Sequence, residues 1–207
     1  SVATIPTVVA GLIVPAIAAF RREGHTARIR LLDRAANEVA EAVAGGEADL
    51  GICSVPMLEP ATEFDLLFSD PIVLALPPGH VLAAGQVALC WADLAGEALI
   101  LPARGTGNRL LIDEAMARTG LPMQWVFEVG RTATALDLVA GGIGIAPVPR
   151  SAIPAGERRV ITRPVLDPAV LRPIGLIRRI GQKDRPAVQA LVAAIRVAAE
   201  QIQGEPA

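Results

Sequence analysis

Three short segments carry polar groups suited to holding a small anion, and each begins where a predicted strand gives way to a predicted helix. The first is Thr4-Ile5-Pro6-Thr7. Its hydroxyls and backbone N–H groups can bind a carboxylate, helped by the positive end of the helix that follows. The same residues also fit a plain helix N-cap, so both interpretations stay open.

The second segment, Arg104-Gly105-Thr106-Gly107-Asn108, is rich in glycine and precedes another predicted helix. Two glycines leave backbone N–H groups open to an anion, and Thr106 adds a hydroxyl. Loops of this composition are common, so the segment taken alone is unspecific. It nevertheless predicts the same chemistry as the first segment, which is the binding of a small anion before a helix.

The third segment opens the stretch RTATALDLVAGGIGIAPVP with Arg131 and Thr132. The apolar spacing predicts a helix whose first turn is capped by a threonine and which ends at Gly141-Gly142. Residues 143–146 then form a predicted strand that Pro147 stops. Such an α/β unit binds small ligands at its ends, with Pro147 closing the far side. A solvated surface arginine is the alternative interpretation of Arg131.

The composition restricts the class of protein. The 207 residues are 52% hydrophobic and 19% charged, with a net charge of −2, which predicts one large globular domain or two small ones. No uncharged apolar run reaches the roughly 18 residues of a membrane span. The charge gives no general attraction to nucleic acid, so we expect any DNA contact to lie elsewhere. The basic region 158–185 is interpreted as a solvated sheet edge, or else as an interaction surface.

Residues for catalysis, metal binding or disulfide formation are not grouped in the sequence. Two isolated histidines, His25 and His80, make no metal site, and Ser54 has no nucleophile-elbow pattern around it. Gly142-Ile143-Gly144 is rejected as a dinucleotide motif because a helix, not a strand, precedes it. The two cysteines lie far apart, which predicts no disulfide and a reducing compartment. We therefore predict no catalytic residue, no metal and no cofactor.

Strand and helix patterns alternate along the chain. The predicted strands cover residues 2–7, 27–32, 50–53, 66–76 in two pieces around Ser69-Asp70-Pro71, 98–101, 124–129, 143–146, 160–165 and 174–178. The predicted helices cover 8–20, 37–44, 107–119, 131–140 and 186–203, with a helical turn at 91–94. In the helix at 107–119, the predicted buried residues are Leu110, Leu111, Ala115 and Met116. This order predicts parallel strands in two α/β halves, residues 1–70 with 166–207 and residues 71–165, with a hinge and a cleft.

Six short motifs in order resemble those of one known family. They are Ile5-Pro6-Thr7 for "PT", Gly46-Glu47-Ala48-Asp49-Leu50-Gly51-Ile52 for "GelDlai", Leu76-Pro77-Pro78-Gly79-His80-Val81-Leu82-Ala83 for "LP..HPLA", Leu101-Pro102 to Arg109 for "LP.gsg.R", the stretch 131–149 for "LVAAGLGIALLP", and Pro186-Ala187-Val188-Gln189-Ala190-Leu191 for the last helix. In the third motif, Val81 stands where proline is usual. Together the motifs are similar to the effector-binding (substrate-binding) domain of LysR-type transcriptional regulators, over nearly the whole chain.

The resemblance implies a fold and a ligand site. The family fold is α/β, with two Rossmann-like subdomains, a hinge and an interdomain cleft, like the type 2 periplasmic-binding proteins. A small anionic effector, such as an organic acid, would bind in the cleft, and closure over it would alter dimer packing. The ligand-binding residues carried over by the resemblance are Thr4, Ile5, Pro6, Thr7, Ala36, Asn37, Pro102, Arg104, Thr106, Gly107, Arg131, Thr132 and Pro147.

One predicted site position departs from the family pattern. The family commonly has serine or threonine where the second helix begins, whereas this chain has Arg34-Ala35-Ala36-Asn37. Only Asn37 or Arg34 can replace the missing hydroxyls. We therefore expect an effector that is less polar on that side or that pairs with Arg34.

The resemblance also implies partners and leaves alternatives. The family's effector domains form homodimers, often within homotetramers, and helix 12–22 would be one contact face. The family binds DNA through an N-terminal winged helix-turn-helix, which we expect to be missing here because the chain starts at the sensor's first strand. The resemblance therefore implies that the protein is a cytoplasmic bacterial regulator that does not contact a membrane. The alternatives are a transporter's solute-binding protein of the same fold, and an enzyme such as a prephenate dehydratase, for which Thr132-Ala133-Thr134 is thin support.

Overall fold

The computed structural model describes residues 1–54, 60–84, 88–120 and 124–204, and the chain divides into two compact units. Unit 1 comprises Ser1–Asp70 and the chain from Arg172 onward, and unit 2 comprises Pro71–Leu171. The chain crosses from unit 1 to unit 2 between residues 70 and 71. It returns to unit 1 between residues 171 and 172.

The described residues contain ten strands and five α-helices. The strands are β1 (Val2–Thr4), β2 (Leu31–Asp33), β3 (Leu50–Ser54), β4 (Thr62–Leu76), β5 (Leu89–Cys90), β6 (Leu99–Pro102), β7 (Trp125–Val129), β8 (Ala146–Pro149), β9 (Ile161–Leu166) and β10 (Leu171–Arg179). The helices are α1 (Val14–Arg22), α2 (Ala36–Ala44), α3 (Gly107–Arg118), α4 (Thr132–Ala140) and α5 (Pro186–Gly204). No described helix is both long enough and apolar enough to cross a membrane.

In unit 1 the strand order is β2-β1-β3-β10-β4. As predicted, β1 is parallel to both β2 and β3, and β10 runs antiparallel to β3. Helix α2 lies directly on β3 at Gly51, where an added Cβ would come 2.6 Å from Val39 Cγ1 and 2.9 Å from Val43 Cγ2. Glycine at this position therefore sets how closely the helix approaches the sheet.

In unit 2, β4 lies between β8 and β9 and runs antiparallel to both, and β5 extends the sheet beside β9. The two faces of β4 bury different cores. Ile72, Leu74 and Leu76 join the cluster around Trp91, whereas Val73 and Ala75 pack with the buried face of α4. A separate parallel pair, β6-β7, completes the unit.

Two strand predictions were wrong because proline was given too much weight. Residues 62–76 form one continuous strand, although two pieces were predicted. Pro71 does not interrupt the pairing with β8 and β9, since those ladders begin only at Ile72 and Val73. The strand predicted at 143–146 lies instead at 146–149. Its two prolines pair with alternate residues of β4, so their missing N–H groups fall on one side of the strand.

Three other details of the prediction were wrong. Residues 27–30 are not a strand, and Arg21 donates hydrogen bonds to the carbonyls of His25 and Ala27 in this loop. In α3, Leu110 is exposed, and the helix buries Arg109 and Ile112 with Ala115 and Met116. Within the basic region 158–185, strand β10 is not a sheet edge, since it lies between β3 and β4.

Candidate functional site

The first predicted segment lies at the carboxyl end of β1. Thr4 is completely buried and its hydroxyl donates to the Ile5 carbonyl at 3.2 Å, while the Ile5 N–H donates to the Ile52 carbonyl at 3.1 Å. A 3-10 helix then covers Pro6–Val8, and no side chain caps it. Thr4 and Ile5 are therefore part of the scaffold, and Thr7 is a partly exposed residue whose hydroxyl oxygen is buried.

The segment before α2 lies at the same edge of the unit 1 sheet. Thr4 is paired with Asp33 across the parallel strands β1 and β2, so residues 5–7 and 34–37 leave the sheet on one side. Asn37 is exposed and Ala36 partly exposed. Arg34 has an acidic partner there, because its Nη2 lies 3.3 Å from Glu47 Oε1.

No hydroxyl group caps α2. Its first turn is held instead by the Glu38 carboxylate, which accepts a hydrogen bond from the Ala35 N–H at 2.8 Å.

Sequence reasoning also missed Ser54, a partly exposed residue with a hydroxyl group at the end of β3, next to β1 in the same sheet. Its position as the last residue of a strand was the available signal.

The second predicted segment joins β6 to α3 in unit 2. Thr106 is the N-cap of α3, since its hydroxyl accepts the Arg109 N–H at 3.2 Å and donates to the Ala103 carbonyl at 2.9 Å. The N–H groups of Gly105 and Gly107 have no hydrogen-bond partner within the described residues. Gly105 has φ +83°, a conformation that glycine adopts readily. The groups of this loop that are open to an anion are thus backbone N–H groups rather than the Thr106 hydroxyl.

The third predicted segment lies beside the second. Strands β6 and β7 are parallel and Pro102 pairs with Val129, so residues 103–107 and 130–132 leave the same edge. The Ala103 N–H donates to the Val129 carbonyl at 2.9 Å, which ties the two segments together. Arg131 is exposed and Thr132 partly exposed.

The start of α4 and the position of Pro147 differ from the prediction. The prediction of a threonine cap was wrong, because the N-cap of α4 is Arg131 and no side chain caps the helix. Pro147 is buried within β8. That strand lies beside β6, with a parallel bridge between Leu99 and Ile145.

A buried arginine supports the second segment, and sequence reasoning did not assign it. The Arg109 side chain is only 5% exposed. Its Nε donates to Asp113 Oδ1 at 2.7 Å, and its Nη1 donates to Glu128 Oε2 at 3.0 Å and to the Pro102 carbonyl at 2.9 Å. Its position at the end of the "LP.gsg.R" motif was the available signal, but the apolar pattern of α3 pointed to a different buried face.

Other titratable groups have structural contacts. His80 Nδ1 accepts the Leu82 N–H at 3.2 Å, and the His25 ring stacks on Phe20 at 4.6 Å. Cys53 is buried, and burial raises its pKa to about 12, so it is a neutral apolar side chain as predicted. Within the described residues, no group of three or more metal-ligating side chains was found.

A cavity of about 280 Å³ lies in unit 1, away from the candidate segments. It is lined by Phe20, Arg28, Asp49, Arg185 and Leu191, among others. Val2 and Leu50, which begin β1 and β3, also line it. The cavity therefore lies at the amino end of these strands, opposite the edge that carries Thr7 and Asn37.

The chain is similar to known proteins over nearly its whole length. The family profile described as "LysR substrate binding domain" matches residues 1–200. The "Uncharacterized HTH-type transcriptional regulator YbhD" of Escherichia coli (strain K12) is 32% identical over 194 residues, which are 93% of this chain and 61% of that protein. The chain spans less than two thirds of the length of YbhD and of two further curated relatives.

Two solved structures of effector binding domains are similar to this chain in fold. The BenM effector binding domain with its effector benzoate has a TM-score of 0.80 and 25% identity, covering 99% of this chain and 94% of that one. The effector binding domain of QuiR in complex with shikimate has a TM-score of 0.75 and 22% identity, covering 97% and 96%. These matches confirm the family resemblance carried by the six motifs and the predicted type 2 periplasmic-binding-protein-like α/β fold.

Proposed function

Because the chain belongs to the family of LysR substrate binding domains, we propose that it binds a small anionic effector through its strand-end segments. The effector signal passes to the transcriptional regulator of which this chain is one part. The observation that supports this most is the shared edge of β6 and β7, where two segments with exposed cationic side chains and open N–H groups leave neighbouring parallel strands.

The unit 2 edge supplies the anion-binding groups. The open N–H groups of Gly105 and Gly107 lie at the amino end of α3, where the helix dipole favours negative charge. Arg104 and Arg131 are exposed on the same two segments. A carboxylate or phosphate group of the effector is the ligand that this set of donors fits.

The unit 1 edge supplies neutral polar groups. Thr7, Asn37 and Ser54 follow three neighbouring strands, and Arg34, the cation of this edge, is paired with Glu47. We propose that this edge of unit 1 offers uncharged hydrogen-bonding groups to a ligand. An organic acid with a hydrogen-bonding or apolar body is the corresponding class of ligand, and benzoate, the effector of BenM, is the natural first probe.

The proposal can be tested by a substitution at Gly107 that removes one backbone N–H group. Gly107 is the first residue of α3, a position where proline is favoured, and Thr106 before it is extended. A Cβ at Gly107 would meet nothing within 4 Å. Gly107→Pro therefore removes the N–H alone, and Gly107→Ala, which keeps it, is the matched control.

The measurement is isothermal titration of benzoate, cyclohexanecarboxylate and inorganic phosphate, after a thermal-shift screen of organic acids. A ligand at one hundred times its dissociation constant stabilises the protein by about 2.7 kcal/mol. We expect Gly107→Pro to weaken binding about tenfold or more, since one hydrogen bond to a charged group is lost. Equal affinities of the proline and alanine variants would contradict the assignment of this segment.

We further propose that the protein acts as a cytoplasmic, non-enzymatic homodimer or homotetramer. Strand β7 supports an assembly surface, because Trp125, Val126 and Phe127 are each more than a third exposed. On α1, the predicted contact helix, Val14 is 56% exposed. Sedimentation equilibrium of Val126→Glu and Val14→Glu tests this assembly, and unchanged oligomer mass in both would argue against it. DNA would be bound by another part of the regulator.

A further inference from the structure

Arg109 is a buried cation within unit 2 that bonds to Asp113 on its own helix, and its other hydrogen bonds lead to the anion-binding segment or to the strand beside it. Its Nη1 donates to the Pro102 carbonyl, the last of β6, at 2.9 Å. The same atom donates to Glu128 Oε2 on β7 at 3.0 Å. The other oxygen of that carboxylate, Oε1, accepts the backbone N–H of Arg104 at 3.4 Å.

Arg109 therefore holds the segment at three points. Its side chain fixes the carbonyl where the segment begins, and through Glu128 it fixes the Arg104 N–H in the middle. Its own backbone N–H donates to the Thr106 hydroxyl, which in turn bonds the Ala103 carbonyl. The directions of the Gly105 and Gly107 N–H groups depend on this frame.

The Arg109 side chain is almost fully buried and is surrounded by groups of this chain. Its guanidinium carbon lies 5.9 Å from the centre of the Trp125 ring. Two carboxylates, Asp113 and Glu128, balance its charge. A planar guanidinium with several fixed donors can satisfy acceptors in different directions at once, which a lysine ammonium cannot do in the same geometry.

We propose that Arg109 is the positioning residue of the anion-binding segment, with Glu128 as its relay to the Arg104 N–H. The inference rests on the proposed function, because the segment matters only if it binds an effector. Arg109 supplies geometry and not charge to the ligand. Arg109→Lys keeps the charge, and Glu128→Gln keeps the shape of the side chain. Both should therefore weaken the hydrogen bonds that hold the segment in place.

The first arm of the test needs no ligand. Amide exchange is measured by NMR in the full chain for Ala103, Arg104 and Thr106, with Ile100 and Ile145 as reference amides in the same unit. In Arg109→Lys and Glu128→Gln we expect exchange at the three segment amides to rise about tenfold while the reference amides stay within twofold. The control is Arg118→Lys, an exposed α3 arginine paired with Glu114.

The second arm titrates benzoate and inorganic phosphate into the same variants. We expect about tenfold weaker binding in Arg109→Lys and Glu128→Gln, and unchanged binding in Arg118→Lys. Equal acceleration of segment and reference amides would reduce Arg109 to a general stabilising residue and overturn the proposal. So would faster segment exchange with unchanged affinity. If the unsubstituted chain binds neither probe, the proposed function loses its support, while the exchange arm still decides whether Arg109 positions the segment.

Discussion

Removing the charge of Asp70 should destabilise the protein far more than removing any exposed carboxylate. Asp70 is 0% exposed and Arg172 3% exposed. Two guanidinium nitrogens, Nε and Nη2, donate to Asp70 Oδ2 at 2.9 and 2.6 Å. Burial lowers the pKa of Arg172, and the carboxylate opposes that shift. Asp70→Asn leaves a nearly water-free cation without its counter-charge.

The magnitude follows from this burial. Removing one partner of a buried ion pair costs about 3 to 5 kcal/mol. For a chain of this length, that corresponds to a fall in melting temperature of about 6 to 20 °C. The double variant Asp70→Asn/Arg172→Met removes both charges, so we expect it to recover at least half of the lost stability.

Urea unfolding followed by far-UV circular dichroism is the suitable assay. Tryptophan fluorescence is less suitable because Trp91 and Trp125 both lie in unit 2, whereas the ion pair lies in unit 1. The matched control is Glu114→Gln, which breaks an exposed pair with Arg118 and should cost less than about 1 kcal/mol. If Asp70→Asn costs no more than this control, or if the double variant is less stable than both single ones, the reasoning is refuted.

Three further predictions concern other residues. Gly51→Ala should lower the free energy of unfolding by about 1 to 3 kcal/mol, because its Cβ would overlap Val39 and Val43, and urea unfolding beside Gly107→Ala will measure this. Thr106→Ala should cost about 1 kcal/mol through loss of the α3 cap, while Thr106→Ser should restore most of it in the same assay. Cys53 should resist a thiol reagent at pH 8 until the protein unfolds, because burial raises its pKa to about 12, whereas the partly exposed Cys90 should react, slowly, in the folded state. Rapid reaction of both thiols in native conditions would contradict this last prediction.

The alternation of helices and strands could be predicted from the sequence where glycine and apolar spacing agree. Helix α2 begins within one residue of the predicted start, and β7 and β9 within one residue as well. The prolines misled the prediction because a sequence does not show which side of a strand is paired. Pro147 and Pro149 lie inside β8, and Pro71 lies inside β4.

The candidate segments could be predicted as loops after strands, but their internal hydrogen bonds could not. Thr106 looked like a ligand hydroxyl, yet the structure commits it to the α3 cap. Arg109 was missed because a buried arginine depends on partners that lie far away in sequence, here Glu128 on β7. Such pairings follow from strand register, which local spacing does not contain.

The continuity of strand β4 limits which insertions and deletions the protein can tolerate. The strand passes through the boundary of the two units without a break. In unit 2, its even-numbered and odd-numbered residues enter two separate cores. Deleting a single residue near Pro71 would exchange those two sets and send each to the wrong core. Insertions and deletions here should therefore be tolerated, if at all, only in pairs, whereas the loops that follow β1 and β6 carry no such parity constraint.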